Sequence, residues 1–142
     1  TREQDNHISR ELVKKGYEVT REKLNFGDYS FISGVEDYRN KFVIERKKSF
    51  NEIIGNINSK DCSRFYREFT RIRKEKCECI IIIEQTRTDL QNKKYMANLT
   101  PYEVESMIKT FCNKYNVKCY LMHRSRVTDF ILKTIYKKFD AK

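Results

Sequence analysis

The chain has 142 residues, 39% of them hydrophobic, including nine Phe and nine Tyr. That is enough apolar material for one domain with a real core, and too much for a disordered chain. Thirty basic against 20 acidic residues give a net charge of +10, which favours a polyanionic partner without choosing among DNA, RNA and acidic lipid.

No apolar run approaches the ~20 residues of a membrane-spanning helix, and no secretory signal pattern opens the sequence. The five cysteines (Cys62, Cys77, Cys79, Cys112 and Cys119) are odd in number and lack Cys-x-x-Cys spacing. With His7 and His123 isolated, this argues against a zinc site. A reducing intracellular compartment is the simplest inference.

In chain order, Asp5 or Asn6 caps a helix carrying Ile8, Leu12 and Val13, and Gly16 stops it. Leu24-Asn25-Phe26 runs into residues 29–32 as a strand. Ser33-Gly34 and the polar residues 35–41 then return the chain into residues 42–47, making a hairpin. Ser49-x-x-Glu52 is a capping box, opening a helix whose stripe is Phe50, Ile53, Ile54 and Ile57. The next helix buries Phe65, Phe69 and Ile72. Residues 79–83 form an apolar, β-branched run suited to a central strand covered on both faces.

Residues 86–98 are polar and read as a loop over one edge. Thr100-Pro101-x-Glu103 opens another helix, with Val104, Met107, Ile108, Phe111 and Cys112 as its stripe. Residues 117–122 form the next strand. A last helix buries Val127, Phe130, Ile131, Ile135 and Phe139. Cys112 and Cys119 fall on apolar patterns as small core residues. The alternation predicts an α/β fold, a mixed central sheet flanked by helices on both sides. One Pro and four Gly leave no linker, so residues 1–142 read as a single domain.

The chemistry concentrates in the hairpin. Asp28 lies in Gly27-Asp28-Tyr29, and Glu45-Arg46-Lys47 begins seventeen residues later. Two carboxylates brought together raise each other's pKa. A hard divalent cation, Mg²⁺ or Mn²⁺, relieves that conflict and keeps waters of its own. It can polarise a phosphoryl oxygen and acidify a bound water, while a nearby ammonium stabilises the charge gathering on phosphate. The period of two puts Glu45 and Lys47 on one side of the strand and turns Arg46 away. Taken alone, Glu-x-Lys on an exposed strand is commonplace.

Basic residues follow the motif: Lys60, Arg64, Arg67, Arg71, Arg73 and Lys74, with Tyr66 among them. Arg64, Arg67 and Arg71 stand at helical spacing. They are either a solvated face or a clamp on phosphates.

Three runs together, residues 24–30 (LNFGDYS), 43–51 (VIERKKSFN) and 53–69, resemble the nuclease domain of the XPF/Mus-type family of structure-specific DNA endonucleases. The opening Thr1-Arg2-Glu3, the spacing from Gly16 to Gly27 and the strand ending Ile83-Glu84 fit the same pattern. The resemblance implies a restriction-endonuclease-like fold whose first strand would precede Thr1. It implies Asp28 and Glu45 as metal ligands, Lys47 and Arg46 as catalytic partners, and Arg64 as a residue linked to activity. Lys60, Arg67, Arg71 and Tyr66 join Arg64 as the candidate DNA-binding set. Glu52 and Glu84 are candidate accessory acids, Glu84 as support behind the metal.

The family's Asp after Glu-Arg-Lys is Asn51 here, followed by Glu52. An amide supplies no charge, and Glu52 stands about 100° further around the helix. The expectation is weakened metal binding rather than lost activity. Comparable helices dimerise in the family, so the apolar stripes of the last two helices suggest a homodimer or a partner subunit. The expected function is metal-dependent cleavage of branched or flapped DNA. Two alternatives are a catalytically silent DNA-binding subunit and a restriction-type enzyme cutting at short sequences.

Overall fold

The computed structural model describes residues 7–20, 24–33, 36–60 and 62–140. The expected caps Asp5 and Asn6, the Thr1-Arg2-Glu3 segment and the burial of Phe139 lie outside the described residues. Helix α1 (His7–Lys14) is followed by the two-residue strands β1 (Ile32–Ser33) and β2 (Glu36–Asp37). Next come β3 (Phe42–Lys47), α2 (Phe50–Asn58), α3 (Ser63–Lys74), β4 (Glu78–Ile83), α4 (Arg87–Gln91), α5 (Pro101–Tyr115) and β5 (Lys118–Leu121). A 3-10 turn (Arg124–Arg126) leads into α6 (Val127–Asp140).

The main sheet has the order β3-β4-β5, all parallel, and β1 pairs antiparallel with β2 in a separate two-stranded sheet. The architecture is the expected α/β one. All six residues of β3 are buried, as are five of the six in β4, so both strands are covered on two faces. Alternation sorts them. Val43, Cys79, Ile81 and Ile83 join a core with α2, α3 and α5, while Ile44, Ile80 and Ile82 join a second core with Ile8, Val127 and Ile131 of α1 and α6. The stripes of α5 and α6 therefore cover the sheet of their own chain. Burying each such side chain stabilises the fold by roughly 1.5–3 kcal/mol.

Most helix ends follow the expected chemistry. Gly16 at φ +91 ends the first helix, with the Tyr17 amide donating to the Leu12 carbonyl. Val13 departs from its expected stripe and is 60% exposed. Ser49 caps α2 by accepting from the Glu52 amide, but the Glu52 carboxylate takes the amide of Lys48 at 3.0 Å rather than that of the cap. Thr100 and Glu103 form the complete capping box of α5.

Two expectations are corrected. Residues 86–98 are not all loop, because Thr86 and Asp89 form a second capping box that starts α4. The strand expected over 29–32 is reduced to one antiparallel bridge, Tyr29 with Ile44, and then β1. A turn at Tyr38–Lys41, in which the amides of Lys41 and Phe42 both donate to the Tyr38 carbonyl, separates β2 from β3 and breaks the ladder. The hairpin survives as a connection: Asp28 still lies against β3.

Candidate active site

Gly27 decides how Asp28 meets β3. Its φ is +68, a region L residues rarely occupy, and a Cβ there would lie 2.9 Å from Val43 Cβ and 3.1 Å from the Ile44 carbonyl. This contact lets the backbone press onto the strand. Gly27→Ala is therefore expected to lose about 1–3 kcal/mol through strain and displacement. Chemical denaturation would measure it, and a loss under about 0.5 kcal/mol would show the bend is loose.

Asp28 then straddles residue 45. Its amide donates to the Ile44 carbonyl at 2.8 Å, and its Oδ2 accepts the Arg46 amide at 2.8 Å. Glu45 and Lys47 share the face toward α3, as the period of two requires, and Lys47 Nζ lies 3.1 Å from Glu45 Oε2. The two side chains are only 10% and 8% exposed. Lys47 Nζ also sits 5.0 Å from the Phe65 ring centre, a cation–π contact. Burial, then the charge of Asp28, pushes the Glu45 carboxyl up to about 8 against the opposing pull of Lys47; Glu68 raises it further.

Glu68 is a site residue that the sequence reading missed. It is the one acid in α3. Its Oε1 reaches the Gly27 amide at 3.4 Å, a long contact, and its charge acts on Glu45. Its signal was position: Glu68 directly precedes buried Phe69 and lies three residues after buried Phe65.

Arg46 turns to the opposite face, as expected. There its guanidinium pairs with Glu84 at 2.7 Å, and Glu84 also meets His7 Nε2 at 2.7 Å. His7 Nδ1 contacts Glu11 Oε2, also at 2.7 Å. Glu84 and His7, the latter first read as isolated, are therefore linked behind β3. Glu84 belongs to this network on the face away from Glu45, not to the carboxylate pair. Glu52 is exposed at the start of α2, and Asn51 is exposed with its Oδ1 accepting the Met96 amide at 2.7 Å.

Arg64, Arg67 and Arg71 are exposed along α3, and Lys60 is exposed just before it. The Arg71 guanidinium lies 5.3 Å from the Phe26 ring centre, next to Gly27. Arg64, Glu68 and Arg71 stand at i, i+4 and i+7, so the acid lies in one row with two arginines. Tyr66 departs from the expected DNA-binding set. Its hydroxyl donates to the Ile57 carbonyl at 3.0 Å, and its ring packs against Phe65, Phe111 and Tyr115. It supports the core instead of offering a free stacking face.

Among the described residues, no group of three His, Cys, Asp or Glu side chains is arranged to hold a metal ion. Asp28 and Glu45 nonetheless fit one. Mg²⁺ commonly takes one or two carboxylates and fills its other positions with water and phosphate oxygen, and a carboxyl kept protonated beside a second acid is one a cation can ionise.

A parallel three-stranded sheet between two helical layers, with an antiparallel pair beside it, is consistent with the restriction-endonuclease-like class of nuclease folds. The family model of the ERCC4 domain matches residues 1–133, and the chain belongs to that family, the XPF-type nuclease domains. No curated protein and no solved structure matches the chain. Family membership implies a nuclease that acts on DNA; such nucleases typically use divalent metals, though some members are inactive. No helix is long and apolar enough to cross a membrane among the described residues.

Proposed function

We propose that the chain is a divalent-metal-dependent DNA endonuclease acting at branches or flaps. The observation that carries this is Asp28 set against the strand beside a buried Glu45, whose carboxyl burial first and the Asp28 charge second push up to about 8. Asp28 and Glu45 hold Mg²⁺ or Mn²⁺, with Glu68 as a third acid nearby. When bound, the ion polarises a phosphoryl oxygen and lowers the pKa of a water.

The protein's own groups do the rest. The Arg46 amide fixes the Asp28 carboxylate against the strand. Lys47, held by Glu45 and by the Phe65 ring, presents its ammonium to the water or to the charge developing on phosphate. Its buried setting limits its freedom, so little reorganisation is needed when the scissile bond arrives. Arg64 and Arg71 flank Glu68 and take phosphates beside the scissile one.

The silent-subunit alternative draws on the lack of a three-acid cluster among the described residues. A site of two carboxylates answers that point, because Mg²⁺ commonly needs only one or two and would take water and phosphate oxygen for the rest. The net charge of +10 supplies sequence-independent affinity.

Labelled linear, flap, fork and four-way DNA, each with and without Mg²⁺, test the proposal. The expected result is cleavage near the branch, only with metal, weaker in Arg64→Ala, with binding that falls steeply as salt rises. Binding without cutting under Mg²⁺ or Mn²⁺ would establish the silent subunit. Cutting confined to one short sequence, whatever the branching, would establish the restriction-type enzyme.

A further inference from the structure

Among the described residues, Met96 is the most exposed large apolar side chain, 90% open to solvent. Leaving a Met in water forgoes the stabilisation that burial gives an apolar side chain. A flexible loop could fold back and recover it, but this one is tied down. The Met96 amide donates to Asn51 Oδ1 at 2.7 Å, and the next carbonyl but one upstream, that of Lys94, accepts from Gln85 Nε2 at 3.0 Å. Gln85 Oε1 in turn takes the Phe50 amide at 2.7 Å. The Tyr95 ring stands edge-on to Phe50, 6.3 Å between centres, and its hydroxyl donates to the Leu99 carbonyl at 2.6 Å. The backbone is anchored on both sides of a side chain that touches little.

Its place in the fold gives this display a use. Gln85 follows β4 and Asn51 follows β3, so both anchors lie at the carboxyl edge of the parallel sheet, where ligands of such sheets bind. Tyr95 and Leu99 pack on the core that shares the face of Glu45 and Lys47. Asn51 is four residues beyond Lys47, at most ~14 Å along the chain. Lys93 and Lys94 beside Met96, and Lys48 beside Lys47, are exposed.

We propose that Met96 stacks on the base pair laid bare where duplex DNA ends at a branch, with Lys93 and Lys94 on the adjoining phosphates. The inference rests on the DNA-endonuclease reading above and names the residue that would recognise the branch. A branch differs from plain duplex in offering an unstacked base-pair face, and an apolar side chain can cover that face without reading sequence. The polarisable thioether of Met suits an aromatic surface, and a cationic rim suits the phosphates around it. With ~3.4 Å per nucleotide along a strand, the ~14 Å from Lys47 to the Asn51 anchor spans about four nucleotides, so the cut should fall a few nucleotides from the branch.

Two measurements on the full chain test this. Flap DNA carrying 2-aminopurine at the branch is titrated in EDTA, and flap and linear duplex are cut in Mg²⁺, with wild type, Met96→Ala and Met96→Leu. The expected result is a fluorescence change at the branch with wild type and Met96→Leu that Met96→Ala loses. Met96→Ala also loses about tenfold of the flap-over-linear preference while its linear cutting is unchanged. Unaltered fluorescence and preference in Met96→Ala overturn the inference even though the enzyme cuts. A Met96-dependent fluorescence change without cutting by wild type supports it and overturns the nuclease reading instead.

Discussion

Glu45→Gln is expected to lower metal-dependent cleavage on the order of 10³-fold or more while leaving the protein folded. The amide keeps the shape but cannot hold a cation as a carboxylate does, and metal, water and ammonium act as one unit, so single losses are severe. Asp28→Asn and Lys47→Ala should be comparably damaging, and the three should not add. The same residue leaves a signature in stability.

With Glu45 pushed up to about 8 from 4.5, the folded chain binds a proton that the unfolded chain has released. Stability from this group is therefore full below about 4.5 and is lost as pH rises through about 8. In metal-free buffer the melting temperature should fall across that window, and Glu45→Gln should flatten the fall. Since Mg²⁺ must displace that proton, the metal concentration for half-maximal cutting should fall about tenfold for each unit that pH rises toward about 8. Near-normal cutting by Glu45→Gln at limiting Mg²⁺ would end the assignment.

Local pattern carried much of the fold. The stripe of Phe50, Ile53, Ile54 and Ile57 and the box Thr100–Glu103 are contained within their own segments, and α2 and α5 form as expected. Thr86–Asp89 is the same type of box, but α4 has only Leu90 buried, so no periodicity accompanied the cap. The strand that carries the proposed site was legible because Glu45 and Lys47 differ by two positions. That Asp28 lies beside them depended on Gly27, whose φ of +68 also ends any regular strand there.

Tertiary pairing hid the rest. Lys47 pairs in register with Ile83, and a slip of one residue would turn Glu84 to the other face. Glu68 is one acid on a basic helix, and only the packing of α3 on the sheet brings it to Gly27. Tyr66 looked available until Phe111 and Tyr115, both on α5, closed on it. Each of these depends on what a helix or strand meets, which no spacing within the element records.

Glu84→Ala is the complementary test, with its effect on stability. The Arg46 side chain is 1% exposed and that of Glu84 4%, and Glu84 also holds His7 of α1. Removing one member of a buried pair leaves the other charge without that counterion, at about 3–5 kcal/mol. Against a usual total of roughly 5–15 kcal/mol, that is a large share, and the melting temperature should fall on the order of 10 °C. Removing both charges is different: with Arg46→Met added to Glu84→Met, apolar packing replaces the desolvated pair, and most of the loss should be recovered. Because Glu84 faces away from Glu45, Glu84→Ala should cut within a few-fold of wild type at a temperature where it remains folded. This outcome reverses that of Glu45→Gln, which loses cutting and keeps the fold. If Glu84→Ala instead melted like wild type and abolished cleavage, Glu84 would be an accessory acid of the metal site and the two faces of β3 would not be separate in function.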